Sequence, residues 1–173
     1  MTRILIAVDG SSHSAKVAKA VIRQVSAYRQ PPELHLAYVH LPVPTLGGLI
    51  KPVGHEALQR YYREEGEDAL RGAKKLLDRA KLACTMHIMV GPVAETLAGE
   101  AKKLKCDLIV MGTHGMGAVS GMLLGSVATK TVHLARCPVV LIREWTLLRP
   151  GRRSASPRRR CAASPCSMRA SAA

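Results

Sequence analysis

Apolar residues occur along this chain in short unbroken blocks, separated by longer segments where they recur every three or four positions. The first block is RILIAV, Arg3 to Val8. A run this short, rich in Ile and Val and apolar at nearly every position, predicts a strand covered on both faces, as in a parallel sheet. DGSSHS then supplies turn and N-cap residues, and AKVAKAVIRQVSAY places Val17, Val21, Val25 and Tyr28 at helical spacing. Pro31 and Pro32 stop that helix. ELHLAYVHL, Glu33 to Leu41, reads as a second strand. A Pro/Gly-rich loop spans Pro42 to Gly54. Beyond it, Leu58, Tyr62, Ala69, Ala73, Leu76 and Ala80 mark the inner face of a long amphipathic helix from about Glu56 to Leu82. CTMHIMV, Cys84 to Val90, is a third strand. Pro92 opens the next helix, where its missing N–H does no harm. CDLIVMG, Cys106 to Gly112, is a fourth strand. A glycine-rich segment follows and runs into a helix ending near Ala135, before CPVVLIR, Cys137 to Arg143, forms a fifth strand.

Strands alternating with helices imply a doubly wound α/β fold: a three-layer sandwich with a five-stranded parallel sheet, Rossmann-like, and right-handed crossovers. Ligands in such sheets bind beyond the carboxyl ends of the strands, near the reversal of strand order. Two polar segments lie there: Asp9-Gly10-Ser11 after the first strand, and Gly112 to Ser126 after the fourth.

Composition refines this picture in four ways. Apolar residues make up 47% of the 173, enough for a core, but Phe is absent, so that core must be built from aliphatic residues and Met. The net charge of +14 is uneven: residues 1–148 carry +7, and the last 25 residues hold seven Arg and no acid. That tail, 149–173, has no Leu, Ile or Val and is expected to be disordered, a second region beside one domain at 1–148. It is read as a solvated extension, with nucleic acid as a partner only through its arginines. No segment of 18 apolar residues exists and the N-terminus lacks the pattern of a signal peptide, so a membrane role is not expected. The five cysteines form no C-x-x-C pair; Cys84, Cys106 and Cys137 lie beside apolar runs and are expected to be buried thiols, which fits a cytoplasmic location.

GTHGMGAVSGMLLGS, Gly112 to Ser126, holds five glycines. It is not a Walker A loop, because Ala118 and Val119 follow Gly117 where Lys and Ser/Thr are required. It is not G-x-G-x-x-G either, since Ser120 stands at the third glycine position. Gly112, Gly115 and Gly125-Ser126 instead give G-x2-G-x9-G-[ST]. With ILIAVDGS at the start, DLIVMGTHG, LLGSVA and CPVVLIR in order, the chain resembles the universal stress protein family, in its nucleotide-binding branch, over about residues 1–143.

That resemblance implies an adenine nucleotide-binding fold, of the adenine nucleotide alpha hydrolase type, with ATP as ligand and Mg2+ or Mn2+ accompanying it. Gly112, Gly115, Gly125, Ser126 and Val127 would cradle the phosphates. Glycines let the backbone approach closely, and the free N–H groups opening the last helix favour an anion. The alternative is a loop whose glycines only close the packing. Asp9 would meet the ribose or a phosphate-bound metal, or else serve as the N-cap of the first helix. Ala7 and Val39 would contact adenine or simply pack in the core, and Met111 reads as core first. Relatives often carry Lys or Arg where this chain has Met116, which removes a phosphate partner. Lys130 reads as a solvated helix charge. The family dimerises through its last strand, so a homodimer along Pro138 to Arg143 is expected, that strand presenting a sheet edge.

His114 is the one candidate base inside the motif, and no acid is near it in sequence; His13 and His40 stand isolated. A stress-response nucleotide-binding module with, at most, slow ATP hydrolysis is therefore expected. Two alternatives stand beside it. One is a dimeric stress or interaction protein that binds no nucleotide. The other is an ATP pyrophosphatase-like enzyme, against which Asp9-Gly10-Ser11-Ser12 in place of S-G-G-x-D-S counts.

Overall fold

The computed structural model describes residues 2–42, 54–115 and 124–143. Met116, Trp145, the loop 43–53 and the arginine-rich tail lie outside the described residues.

Five strands and four helices alternate in the expected order: β1 (Arg3–Ala7), α1 (Ser12–Val25), β2 (Glu33–His40), α2 (His55–Arg79), β3 (Cys84–Val90), α3 (Val93–Lys103), β4 (Leu108–Gly112), α4 (Ser126–Leu134) and β5 (Val139–Ile142). All strand pairs are parallel, and the sheet order is β3-β2-β1-β4-β5. The chain therefore winds one way from β1 to β3 and the other way from β4 to β5. The reversal falls between β1 and β4, whose registered pairs include Ile4 with Leu108 and Ile6 with Val110.

The unbroken apolar runs follow from this order. Successive side chains of a strand point to opposite faces, and β1 and β2 have helices on both sides. Ile4, Ile6, Leu34, Leu36 and Val110 pack under Val17 and Val21 of α1 and Leu70 and Leu77 of α2. Leu5, Ala7, Ala37, Val39, Ile109 and Met111 pack on the other face with Leu97 and Ala101 of α3 and Ala128 of α4. The outer strands are less covered: Met86 and Val90 of β3 are exposed, and every residue of β5 is half-buried.

Several boundaries differ from the sequence reading for identifiable reasons. α1 starts three residues earlier than Ala15 because Ser11 caps it, its hydroxyl accepting from His13 N–H. β4 begins at Leu108 rather than Cys106, because the Cys106 amide still bonds Ala101 O at the end of α3. The inner face of α2 is Tyr62, Gly66, Leu70, Ala73 and Leu77; the expected Leu58, Ala69, Leu76 and Ala80 lie half-buried beside it. Gly66 was not legible as a core position. There the helix presses so close to β3 that a β-carbon would sit 2.5 Å from Ile88 Cγ2. Of the three cysteines, only Cys106 is fully buried; Cys84 and Cys137 are intermediate, Cys84 at the start of one edge strand and Cys137 just before the other. Burial raises all three thiols, that of Cys106 to about 11.

Candidate functional site

At the carboxyl end of β1 the chain turns through Asp9, Gly10 and Ser11. Gly10 has φ +79°, a left-handed conformation that L side chains rarely adopt, and a β-carbon there would lie 3.0 Å from Ala69 Cβ. The turn is closed by hydroxyls. Asp9 Oδ1 accepts from Ser11 N–H (3.0 Å), Ser11 Oγ (2.7 Å) and Ser14 Oγ (2.8 Å). Buried Ser14 in turn accepts from the amides of Asp9 and Gly10, each at 3.1 Å. The N-cap reading of Asp9 is thereby corrected: Ser11 is the cap, and Asp9 holds Ser11 in place.

The second loop is built around Thr113. Its amide donates to Ile142 O (3.1 Å), which prolongs the β4–β5 ladder, and its carbonyl accepts from Gly125 N–H (2.8 Å). That bond ties the exit of β4 to the entrance of α4. The motif glycines are required for space rather than for conformation. None of Gly112, Gly115 and Gly125 has φ in the left-handed range. Added β-carbons would instead meet His114 O at 3.1 Å, Asp9 Oδ2 at 3.0 Å and Thr113 O at 3.1 Å respectively. Gly125 is the extended N-cap of α4 and offers no side-chain bond to the first turn, which holds no acid. The first N–H groups of an α-helix have no acceptor within it, and here they are presented with an exposed Ser126 beside them.

The two loops border one cleft of about 670 Å3. It lies beyond the carboxyl ends of β1, β2 and β4, at the reversal of strand order. All nine residues singled out in the sequence line it: Ala7, Asp9, Val39, Met111, Gly112, Gly115, Gly125, Ser126 and Val127. Ala7, Val39 and Met111 are buried and also belong to the core under α3 and α4, so core packing and cleft floor are the same surface. Sequence spacing missed other lining residues. His13 and His40, taken as isolated, both line the cleft, as do Thr113, Tyr38 and Glu65. They come from different elements, and only the topology brings them together. His114 lines it too, its Nδ1 3.1 Å from Thr113 Oγ1. Burial first, then Glu65, raises the Tyr38 phenol above its ordinary range. Lys130 is exposed on α4 and outside the lining.

Among the described residues no group of three His, Cys, Asp or Glu could hold a metal ion. With Oδ1 of Asp9 engaged three times, a cation here would draw most of its oxygen ligands from a bound nucleotide and water. Among the described residues no helix is long and apolar enough to cross a membrane.

A doubly wound parallel sheet with a glycine-lined cleft and an open helix N-terminus at its switch point defines an α/β fold of the Rossmann-like nucleotide-binding type. Within that class the family model "Universal stress protein family" matches residues 1–143, and the chain belongs to that family. A universal stress protein of Thermus aquaticus is 36% identical over 140 residues, covering 81% of this chain and 97% of its own. One from Methanocaldococcus jannaschii is 32% identical over 142 residues, covering 82% of each. Among solved structures, a universal stress protein in complex with cAMP aligns with TM-score 0.60 at 21% identity, covering 82% of this chain and 96% of its own. An Arabidopsis thaliana family member with AMP bound aligns with TM-score 0.59 at 17% identity, covering 83% and 92%. These two show the shared fold.

Proposed function

We propose that this chain is a regulatory module of the stress response that binds an adenine nucleotide in the cleft between Asp9 and the Gly112–Ser126 loop. The observation that carries the reading is the open start of α4, without a capping side chain or an acid in its first turn, facing an apolar floor of Ala7, Val39 and Met111. Neighbours of the same fold were solved with cAMP and with AMP, which supports the adenine class. ATP, with Mg2+ or Mn2+, is the ligand the sequence resemblance implies. In this reading Asp9, braced by Ser11 and Ser14, accepts a ribose hydroxyl or approaches a nucleotide-borne metal. The module signals by occupancy and hydrolyses ATP slowly at most. β5 is a sheet edge, and we propose that a second copy pairs there in a homodimer along Pro138 to Arg143.

Calorimetric titration of AMP and ATP into the parent, Gly125→Val and Gly54→Val tests the cleft. A side chain at Gly125 meets Thr113 O, whereas one at Gly54 meets nothing within 4 Å among the described residues. Binding in the parent and in Gly54→Val, lost in a folded Gly125→Val, is the expected result. A folded parent, free of co-purified nucleotide, that takes up neither ligand overturns the reading. Light scattering at micromolar concentration checks the dimer, and a monomer there refutes it.

A further inference from the structure

We infer that His40 reads the base: its imidazole selects a purine with an amino group at position 6 over one with a carbonyl oxygen there. This inference rests on the nucleotide reading above and names the residue that sets base specificity within it.

The cleft extends from the phosphate end in one direction only. None of the described residues lining it comes from β5, whereas β1 supplies Ala7 and β2 supplies Tyr38, Val39 and His40. Gly125 N–H bonds Thr113 O, so α4 starts beside the end of β4. In the sheet order β2-β1-β4, the end of β2 lies two strand spacings away, about 10 Å. A nucleotide whose phosphate meets Gly125 and Ser126 therefore lays its base over the end of β2. Val39 and His40 belong to alternate faces of that strand, and both line the cleft there.

The His40 ring is fixed both in place and in tautomer. It packs against Tyr62 with ring centroids 4.8 Å apart, against Tyr61 at 5.5 Å and edge-on to Tyr38 at 6.2 Å. Its Nδ1 bonds the carbonyl oxygen of Leu41; a carbonyl only accepts, so Nδ1 carries the proton. A neutral imidazole has one N–H, and Nε2 therefore presents a lone pair. Among the described residues no group bonds Nε2, and it is not one of the buried atoms left without a partner, so it is open to a ligand of the cleft that His40 lines. An amino group at position 6 of a purine donates to that lone pair. A carbonyl oxygen at the same position sets lone pair against lone pair and leaves both acceptors unmatched. AMP and IMP carry the same ribose and phosphate, so neither the start of α4 nor the carboxylates of the cleft contribute to the difference between them.

The test is calorimetry on the full chain with AMP and IMP at pH 8, above the ordinary imidazole range. AMP is expected to bind the parent about tenfold tighter than IMP. In His40→Phe, which keeps a ring among the three tyrosines but has no lone pair to offer, the ratio is expected to fall below about threefold. A ring that only packs would weaken both nucleotides alike and leave the ratio where it was. IMP binding the parent as tightly as AMP, or an unchanged ratio in a folded His40→Phe, overturns this inference and leaves the nucleotide reading standing. If His40→Phe does not fold, purine riboside 5′-monophosphate, which bears neither group at position 6, decides in the parent: an affinity between those of AMP and IMP supports the inference, and one equal to that of AMP overturns it. A folded parent, free of co-purified nucleotide, that binds none of them overturns both readings.

Discussion

The carboxylate of Asp9 occupies the space a side chain at Gly115 would need: a β-carbon on Gly115 would sit 3.0 Å from Asp9 Oδ2. Two loops more than a hundred residues apart thus meet at a motif glycine. Because Oδ1 is already engaged by Ser11 and Ser14, the carboxylate cannot swing away cheaply. Gly115→Ala should therefore weaken nucleotide binding at least about tenfold and cost roughly 1 kcal/mol of stability. Gly99→Ala, in open space on α3, is the control and should leave affinity unchanged while stabilising by about 0.5–1 kcal/mol. Urea denaturation beside calorimetry reads both. Equal nucleotide affinity in the two variants would refute the close contact.

Two glycines of α2 should respond oppositely to the same change. At Gly72 nothing among the described residues lies within 4 Å, so Gly72→Ala should stabilise by about 0.5–1 kcal/mol through helix propensity. At Gly66 the new methyl would overlap Ile88 Cγ2, Cγ1 and Cδ1, so Gly66→Ala should destabilise by about 1–3 kcal/mol despite the same propensity gain. Trimming the partner should relieve it: Gly66→Ala should cost less in an Ile88→Ala background than in the parent. Thermal midpoints across the double-mutant cycle measure the coupling.

Lys81 and Lys105 adopt φ of 58° and 54°, positions where a helix ending this way ordinarily has Gly. Both endings use the same pair of bonds. After α2, Lys81 N–H bonds Asp78 O and Leu82 N–H bonds Leu77 O. After α3, Lys105 N–H bonds Lys102 O and Cys106 N–H bonds Ala101 O. Left-handed backbone costs an L residue about 1–2 kcal/mol, part of which Gly gives back through its freer unfolded chain. Lys81→Gly and Lys105→Gly should each stabilise by about 0.5 kcal/mol. A loss of stability in either by chemical denaturation would count against these helix endings.

A pair of imidazoles lies under α3, away from the cleft. His35 Nδ1 and His87 Nε2 are 3.1 Å apart. His35 Nε2, buried without a hydrogen-bond partner among the described residues, is 3.4 Å from Glu33 Oε1, and Arg3 binds the same carboxylate at 2.9 Å. His87 Nδ1 is 3.5 Å from Glu100 Oε1, with Lys103 beyond it. Burial first, then His35, lowers the His87 pKa, and Glu100 offsets part of this. A histidine whose folded pKa lies below its unfolded value takes up its proton more readily when unfolded. The fold must therefore lose stability as pH falls through the ordinary imidazole range near 6.5. The midpoint of urea unfolding should drop between pH 7 and pH 5, and drop less in His87→Gln. An identical slope in the two proteins would remove His87 as the cause.

The sequence by itself determined the alternation of elements, the parallel sheet and the three glycine positions. The first two follow from local physics, apolar blocks that two-sided burial explains and helical spacing between them; the glycine positions came from the resemblance that G-x2-G-x9-G-[ST] carries. β3 was legible to the residue, Cys84 to Val90, with Gly91 and Pro92 closing its carboxyl end. The tertiary structure decided what depends on distance between segments. It set the reversal of strand order between β1 and β4, and it decided which atoms crowd each motif glycine: those of His114, Asp9 and Thr113. It gathered His13 and His40, isolated in the sequence, and Glu65 around one cleft, and paired His35 with His87 across two strands. It also exposed Gly66 as a core contact. A glycine carries no hydrophobic signal of its own, so its burial is visible only once Ile88 is packed against it.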